Sequence, residues 1–280
     1  MRHITVISLV VLTAGTVNGQ TLPTSQPNFV QIIREEVKVG HEADHTKTEA
    51  GWPVAFEKAK MPTSSVGLVS LTGPSEAWFL VPYATQAAWG EDLKRMSDDP
   101  ALAAELARLS RADAAHITSV RSMLGAARKD LSRGAFPDIS KARFYEITIF
   151  RVRPGHENQF TEAGKAYGAA AGRAAPNASY RVYEIIAGMP GPTYMIFSSV
   201  PGFGEFDRMT AEGEAVMKAA TPQEQAALQK FGAEALLNAE TQRFRLDPEM
   251  SYVPKEVRAQ EPGFWMPKRT TAPKKPTTQP

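Results

Sequence analysis

The chain contains no cysteine in 280 residues. That excludes a disulfide framework, a thiol nucleophile, a thiolate metal centre and a lipid-anchored cysteine behind a leader. Charge bias is lacking too: the formal net charge is +2 and the basic residues are scattered, so neither nucleic acid nor an anionic membrane is expected as a partner. No G-x-S-x-G, no G-x-x-x-x-G-K-[ST] and no strand-borne G-x-G-x-x-G occurs, which removes the signatures of a serine hydrolase, a P-loop enzyme and a dinucleotide binder. Gly202-Phe203-Gly204 follows a proline and reads as the turn before a helix. No apolar run beyond the first residues is long enough to span a bilayer.

What is present begins with a compartment signal. Arg2 and His3 precede an apolar and small-residue run from Ile4 to Thr16, and Val17-Asn18-Gly19 offers a small-residue cleavage site. The expectation is a secretory signal over 1–19 and an exported protein, periplasmic or secreted, with a short leader over 20–28. No membrane span is expected after cleavage. Hydrophobic residues at 42% and charged residues at 22% give a globular composition, so a protein without disulfides is held by its core.

The chain also repeats itself. Val37 to Gly51 (VKVGHEADHTKTEAG) returns as Phe150 to Gly164 (FRVRPGHENQFTEAG), with the same Gly-His-Glu and the same Thr-Glu-Ala-Gly. A spacing of roughly 115 residues is too long for a solenoid unit and fits two fused copies of one small domain. In the second copy, Arg143 to Val152 is aromatic and β-branched and stops at Pro154-Gly155, and Glu157 to Ala174 is Ala-rich and helical. A hairpin is expected from Ser179 to Ile186 and Thr193 to Ser199, then helices from Gly204 to Ala220 and Pro222 to Asn238, then a strand from Thr241 to Leu246. The first copy follows the same path: Phe29 to Val39, a helix from Thr46 to Lys60, Val66 to Leu71, Ala77 to Tyr83, and helices from Gln86 to Met96 and Pro100 to Ala115. Ile117 to Ala127 could continue the last helix, but the repeat assigns it as a strand.

Each copy thus reads βαββαβ, and the predicted class is α+β, two tandem ferredoxin-like units over 29–135 and 141–252. Strand residues are apolar on both faces, among them Val30, Ile32 and Val37 in one copy and Phe144, Tyr145, Ile147 and Phe150 in the other. One helical layer covers only one face, so the second copy is expected to cover the other. With this element order and the strand-Pro-Gly-His-Glu-helix turn at Arg153 to Glu157, the chain resembles the dimeric α/β-barrel superfamily over about Phe29 to Tyr252. Antibiotic-biosynthesis-monooxygenase, EthD-like and NIPSNAP-like groups look similar. The resemblance implies two sheets packed face to face, here within one polypeptide. It transfers no catalytic residue: neither the Asn, Trp and His set of the haem-degrading members nor the haem-ligating His of the chlorite-dismutase-like members is matched, and no cofactor is expected. Beyond Tyr252 the composition turns to Pro, Lys and Thr, a loose tail over 253–280 in which Gly263 to Met266 would clasp the barrel.

His41-Glu42-Ala43-Asp44-His45 is a literal H-E-x-x-H, whose two imidazoles one helical turn apart could hold zinc for a metal-dependent hydrolase. His41 would however sit at the helix start, the second copy places Phe160 where the second His belongs, and the remaining histidines are His3, His116 and His156. No metal is therefore expected. His41 and His156, related by the repeat, either titrate as a pair at the barrel mouths or face solvent.

The polar residues inside strands give the ligand reading. Glu146 shares a face with Phe144, Thr148 and Phe150, pointing under the helices or into the lumen, with Arg243 and Arg245 as counter-ions. Tyr183, Glu184 and Arg181, with Trp78 and Tyr83, would add walls and hydrogen-bonding groups for a small organic ligand held in a barrel cavity. A glutamate beside an arginine serves better as a base than as an acid. Cofactor-free oxidative chemistry, binding without turnover and a scaffold with no pocket all remain open, as does a second copy of the chain as partner.

Overall fold

A computed structural model describes residues 21–266. The expected signal over 1–19 and the last part of the tail lie outside the described residues. Eight strands close into one antiparallel barrel in the order β1-β3-β2-β8-β5-β7-β6-β4. They are β1 (Phe29–Val37), β2 (Ser65–Ser70), β3 (Glu76–Tyr83), β4 (Ile117–Ala127), β5 (Phe144–Val152), β6 (Arg181–Ala187), β7 (Thr193–Val200) and β8 (Leu236–Tyr252). Each half runs last-first-third-second, and β2 joins β8 while β4 joins β6 to close the ring. Ile117 to Ala127 is the strand that the repeat assigned, paired with β1 on one side and β6 on the other.

Between the strands lie α1 (Glu42–Glu49), α2 (Gly51–Ala59), α3 (Gln86–Asp98), α4 (Pro100–Asp113), α5 (Glu157–Ala174), α6 (Glu205–Ala219) and α7 (Pro222–Lys230). The halves use matching local chemistry. Gly40 and Gly155 turn from strand to helix at φ of 85° and 86°, where a side chain would be strained. Asp99-Pro100 and Thr221-Pro222 begin α4 and α7 with a side-chain cap followed by proline at the first turn.

Three expectations need correction. The single helix expected through Thr46 to Lys60 is α1 and α2, broken at Ala50; the first copy carries two more residues than the second between Gly-His-Glu and Thr-Glu-Ala-Gly, and α5 runs unbroken. The helix expected to reach Asn238 stops at Lys230 and passes through a π turn, because Leu236 already pairs with Val152. The described part of the tail folds into α8 (Lys255–Gln260) and α9 (Pro262–Trp265), where composition suggested a loose segment. Its aromatic clasp is real: Trp265 is buried and donates to the Ser140 carbonyl at 3.1 Å, and Arg143 lies 3.8 Å over the Phe264 ring.

Alternation along the strands sends one residue set into the barrel and the other beneath the helices. The inward set, including Ile32, Leu68, Trp78, Met123, Ile147, Ile185, Met195, Phe244 and Leu246, merges into one apolar cluster drawn from both halves. Leu22 of the leader and Val253 and Trp265 of the tail pack against it. The lumen is therefore filled with side chains and retains a pocket of only about 90 Å³ at one end. Crossing segments lock the halves. Met250, beyond the bend in β8, covers Gly67 of β2 so closely that a Cβ there would lie 2.8 Å from the Met250 Cβ, and Leu131, beyond β4, packs on Gly164 of α5.

Candidate functional site

The large cavity is not in the lumen. It measures about 570 Å³ and lies between the outer face of β5, β7 and β8 and helices α5 and α6. Side-chain size explains it: Thr148, Ser198 and Thr241 on the strands face Ala163, Gly164 and Gly213 on the helices, and these leave the space unfilled. Phe150, Phe160 and Tyr167 make an aromatic wall.

Glu146 and Arg243 oppose each other across the β5–β8 ladder, and the Arg243 Nε donates to Glu146 Oε2 at 2.9 Å. The guanidinium also sits 4.3 Å over the Phe206 ring, which fixes its plane. Two residue pairs along the ladder, on the same face, the Thr148 and Thr241 hydroxyls meet at 2.9 Å. Tyr180 and Tyr167 line the cavity with phenols held above their ordinary range, chiefly by burial; for Tyr180 the value is pushed up to about 12. Both are thus protonated donors at neutral pH. Ser199 Oγ, buried with no hydrogen-bond partner, belongs instead to the lumen-facing set, opposite Tyr145. A planar, oxygen-bearing ring fits this combination of apolar wall and converging donors and acceptors.

The other expected site residues are placed elsewhere. Arg245 pairs with Asp247 at 3.2 Å instead of with Glu146. Tyr183 points into the lumen, where its hydroxyl donates to the Pro27 carbonyl at 3.3 Å, so it does not share the cavity with Glu146. Trp78 is fully buried in the lumen and donates to Glu76 at 2.9 Å. Tyr83 lies beside the buried Asp92 of α3; burial, then that carboxylate, holds its phenol pKa above the ordinary value. Glu184 faces outward, 3.6 Å from Arg128. Arg181 is buried against the carbonyls of Arg133, Gly134 and Ala135. The cavity thus gathers Glu146 and Arg243 but not these residues: parity within a strand is readable from sequence, but parity between strands depends on register.

His41 and His156 do not pair. The His41 Nδ1 lies 3.1 Å from the His116 Nδ1, and His156 precedes α5 with its Nδ1 buried and lacking a hydrogen bond. The H-E-x-x-H pair is not assembled either, because His45 turns inward: its Nε2 lies 3.0 Å from Glu35 Oε2 and 3.6 Å from Asp113 Oδ1. Glu49, one turn along α1, completes a buried group with these three. Counting histidines alone missed them; the available signals were a glutamate beneath the helices in β1 and the i, i+4 spacing of His45 and Glu49.

Several solved structures share the fold. A proposed monooxygenase from Lactobacillus acidophilus is 9% identical with a TM-score of 0.50, covering 81% of this chain and 97% of its own. A proposed monooxygenase from Fusobacterium nucleatum is 8% identical with a TM-score of 0.52, covering 79% and 93%. An anthrone oxidase-like protein is 14% identical with a TM-score of 0.51, covering 80% and 93%. These place the chain in the dimeric α/β-barrel fold that its element order indicated. No protein-family model matches the sequence, and no curated protein does.

Proposed function

We propose that the protein binds a small oxygenated aromatic molecule in the cavity under α5 and α6. The observation that carries this is the Glu146–Arg243 pair facing about 570 Å³ of largely apolar space, a volume inside the usual range of about 300–1,000 Å³ for ligand sites. Arg243 would receive the oxygen of the ligand and the rings of Phe150, Phe160 and Tyr167 its carbon faces. If turnover follows, it is of the kind the anthrone oxidase-like neighbour's name describes. Glu146 takes a proton from a CH₂ activated by conjugation through the aromatic rings to the carbonyl across the central ring, and the carbanion reduces dioxygen. One oxygen atom stays on carbon as a new carbonyl, and the other leaves as water with the two hydrogens. No resident cofactor is required for that balance.

We also propose that the two halves descend from one doubled unit, on the strength of the shared strand order, the matching glycine turns and the matching caps. Export is part of the same reading, supported by the basic start and the apolar run. Among the described residues no helix is long and apolar enough to cross a membrane.

Anthrone, a three-ring ketone, is the probe for the cavity. It should raise the melting temperature, and Arg243→Gln should weaken its binding by about tenfold to a hundredfold, the loss of one charge-assisted hydrogen bond. Tyr183→Phe, in the lumen, should leave binding unchanged. Equal losses in the two variants, or no binding of any aromatic ketone or phenol, would sink the proposal.

A further inference from the structure

The first half holds a buried polar group that the cavity reading does not use. Glu35 of β1, His45 and Glu49 of α1, and Asp113 at the end of α4 each offer one ligand atom, and these atoms all lie within 4.8 Å of one another. Ions with bonds of about 2.0–2.6 Å hold trans ligands about 4–5 Å apart, so the side chains need little movement to close on one. His45, Glu49 and Asp113 are at most 5% exposed. The Asp113 Oδ1 makes no hydrogen bond, although it is buried and directed at the His45 Nε2 from 3.6 Å. Among the described residues no lysine or arginine forms an ion pair with any of the three carboxylates; the groups of opposite character near them are the His45 ring and, beside Asp113, His116. Three acids around one imidazole are a costly way to fill a core.

The second half shows that the fold does not need them. Phe150 occupies the place of Glu35, two residues before the strand-end bulge, and Phe160 the place of His45, four residues after the repeated glycine-turn histidine. Phe231, at the end of α7, stands where Asp113 ends α4. The three phenylalanines pack on one another with ring centroids 5.6–6.1 Å apart. One architecture thus accepts an aromatic plug in one half and carries an acid–imidazole nest in the other.

We propose that Glu35, His45, Glu49 and Asp113 bind one divalent metal ion of the manganese(II) or iron(II) kind. Three hard carboxylate oxygens weigh against zinc with its nitrogen and sulfur preference, and the imidazole nitrogen weighs against magnesium and calcium. His41, turned to His116, is not a ligand. The ion holds β1, α1 and α4 together, independently of anything bound under α5 and α6.

The test uses the full chain stripped with chelator and titrated with Mn²⁺, followed by calorimetry and by loss of the free-ion electron paramagnetic resonance signal. One ion per chain is expected, with a higher melting temperature. Asp113→Asn and Glu49→Gln preserve volume, so circular dichroism should show both folded, and each should weaken Mn²⁺ binding by about tenfold or more. His41→Ala should bind as wild type. Failure to take up either Mn²⁺ or anaerobic Fe²⁺, retention of full affinity in both folded carboxylate variants, or loss in His41→Ala would overturn the assignment.

Discussion

Trp78→Ala is expected to lower the unfolding free energy by about 3–5 kcal/mol, the range for removing a large buried aromatic side chain. Trp78 is fully buried in the lumen, and its ring lies 5.1 Å from that of Phe244, so it joins strands contributed by opposite halves of the chain. Its loss removes more than packing. The Glu76 carboxylate, 3% exposed, loses the indole donor and keeps only Arg34, whose guanidinium itself rests 5.2 Å over the same indole. Since both sheets bury their inner faces on this one cluster, the loss should appear as a single cooperative transition shifted to lower urea, followed by fluorescence and circular dichroism together. Leu237→Ala, half exposed on β8, should change stability by less than about 0.5 kcal/mol. Two separated transitions in the Trp78 variant would show that the halves do not share a core.

In chelator, where any bound ion is removed, stability should fall as pH rises from about 4.5 towards 9. The cause is Glu49, whose carboxyl is pushed up to about 9 by burial first and then by the Glu35 and Asp113 carboxylates. Asp113 moves the same way, to about 6, through burial and Glu35, against the opposing pull of His45 and His116. Below about pH 4.5 Glu49 is protonated folded and unfolded, and its burial carries no charge penalty. As pH rises, the unfolded chain releases this proton while the folded chain retains it, so stability drops by up to about 1.4 kcal/mol per pH unit until the folded group also ionises. Glu49→Gln is neutral throughout and should be the more stable protein at pH 8, with a flatter profile. An unchanged slope in that variant would place the titrating group elsewhere.

These two sites differ in how far the sequence exposes them. The barrel was legible because apolar residues occupy both faces of β1 and β5, which a single helical layer cannot cover. The Glu146–Arg243 pair was legible because each lies in an alternating strand with aromatic neighbours. Its location under the helices was not, since sequence parity distinguishes Glu146 from Tyr145 but says nothing about which of them faces in. The same limit misplaced Tyr183, whose inward direction is set by pairing with β7 and by the turn of the ring. The acid–imidazole group was hidden for another reason. Glu35 and Asp113 are far apart in the chain and meet because β1 and α4 flank α1, whereas the H-E-x-x-H string drew attention to His41, which the turn at Gly40 directs to His116.

On the proposed function, ligands enter the space between sheet and helices and not the barrel lumen. The most direct measurement is a crystal structure of the protein soaked with anthrone. The three-ring ketone is expected between β5 and α5, with its oxygen within hydrogen-bonding distance of Arg243 and its ring against Phe150 and Tyr167. Anthrone found in the small pocket beside Tyr183 at the end of the lumen, with the outer cavity unchanged, would contradict it.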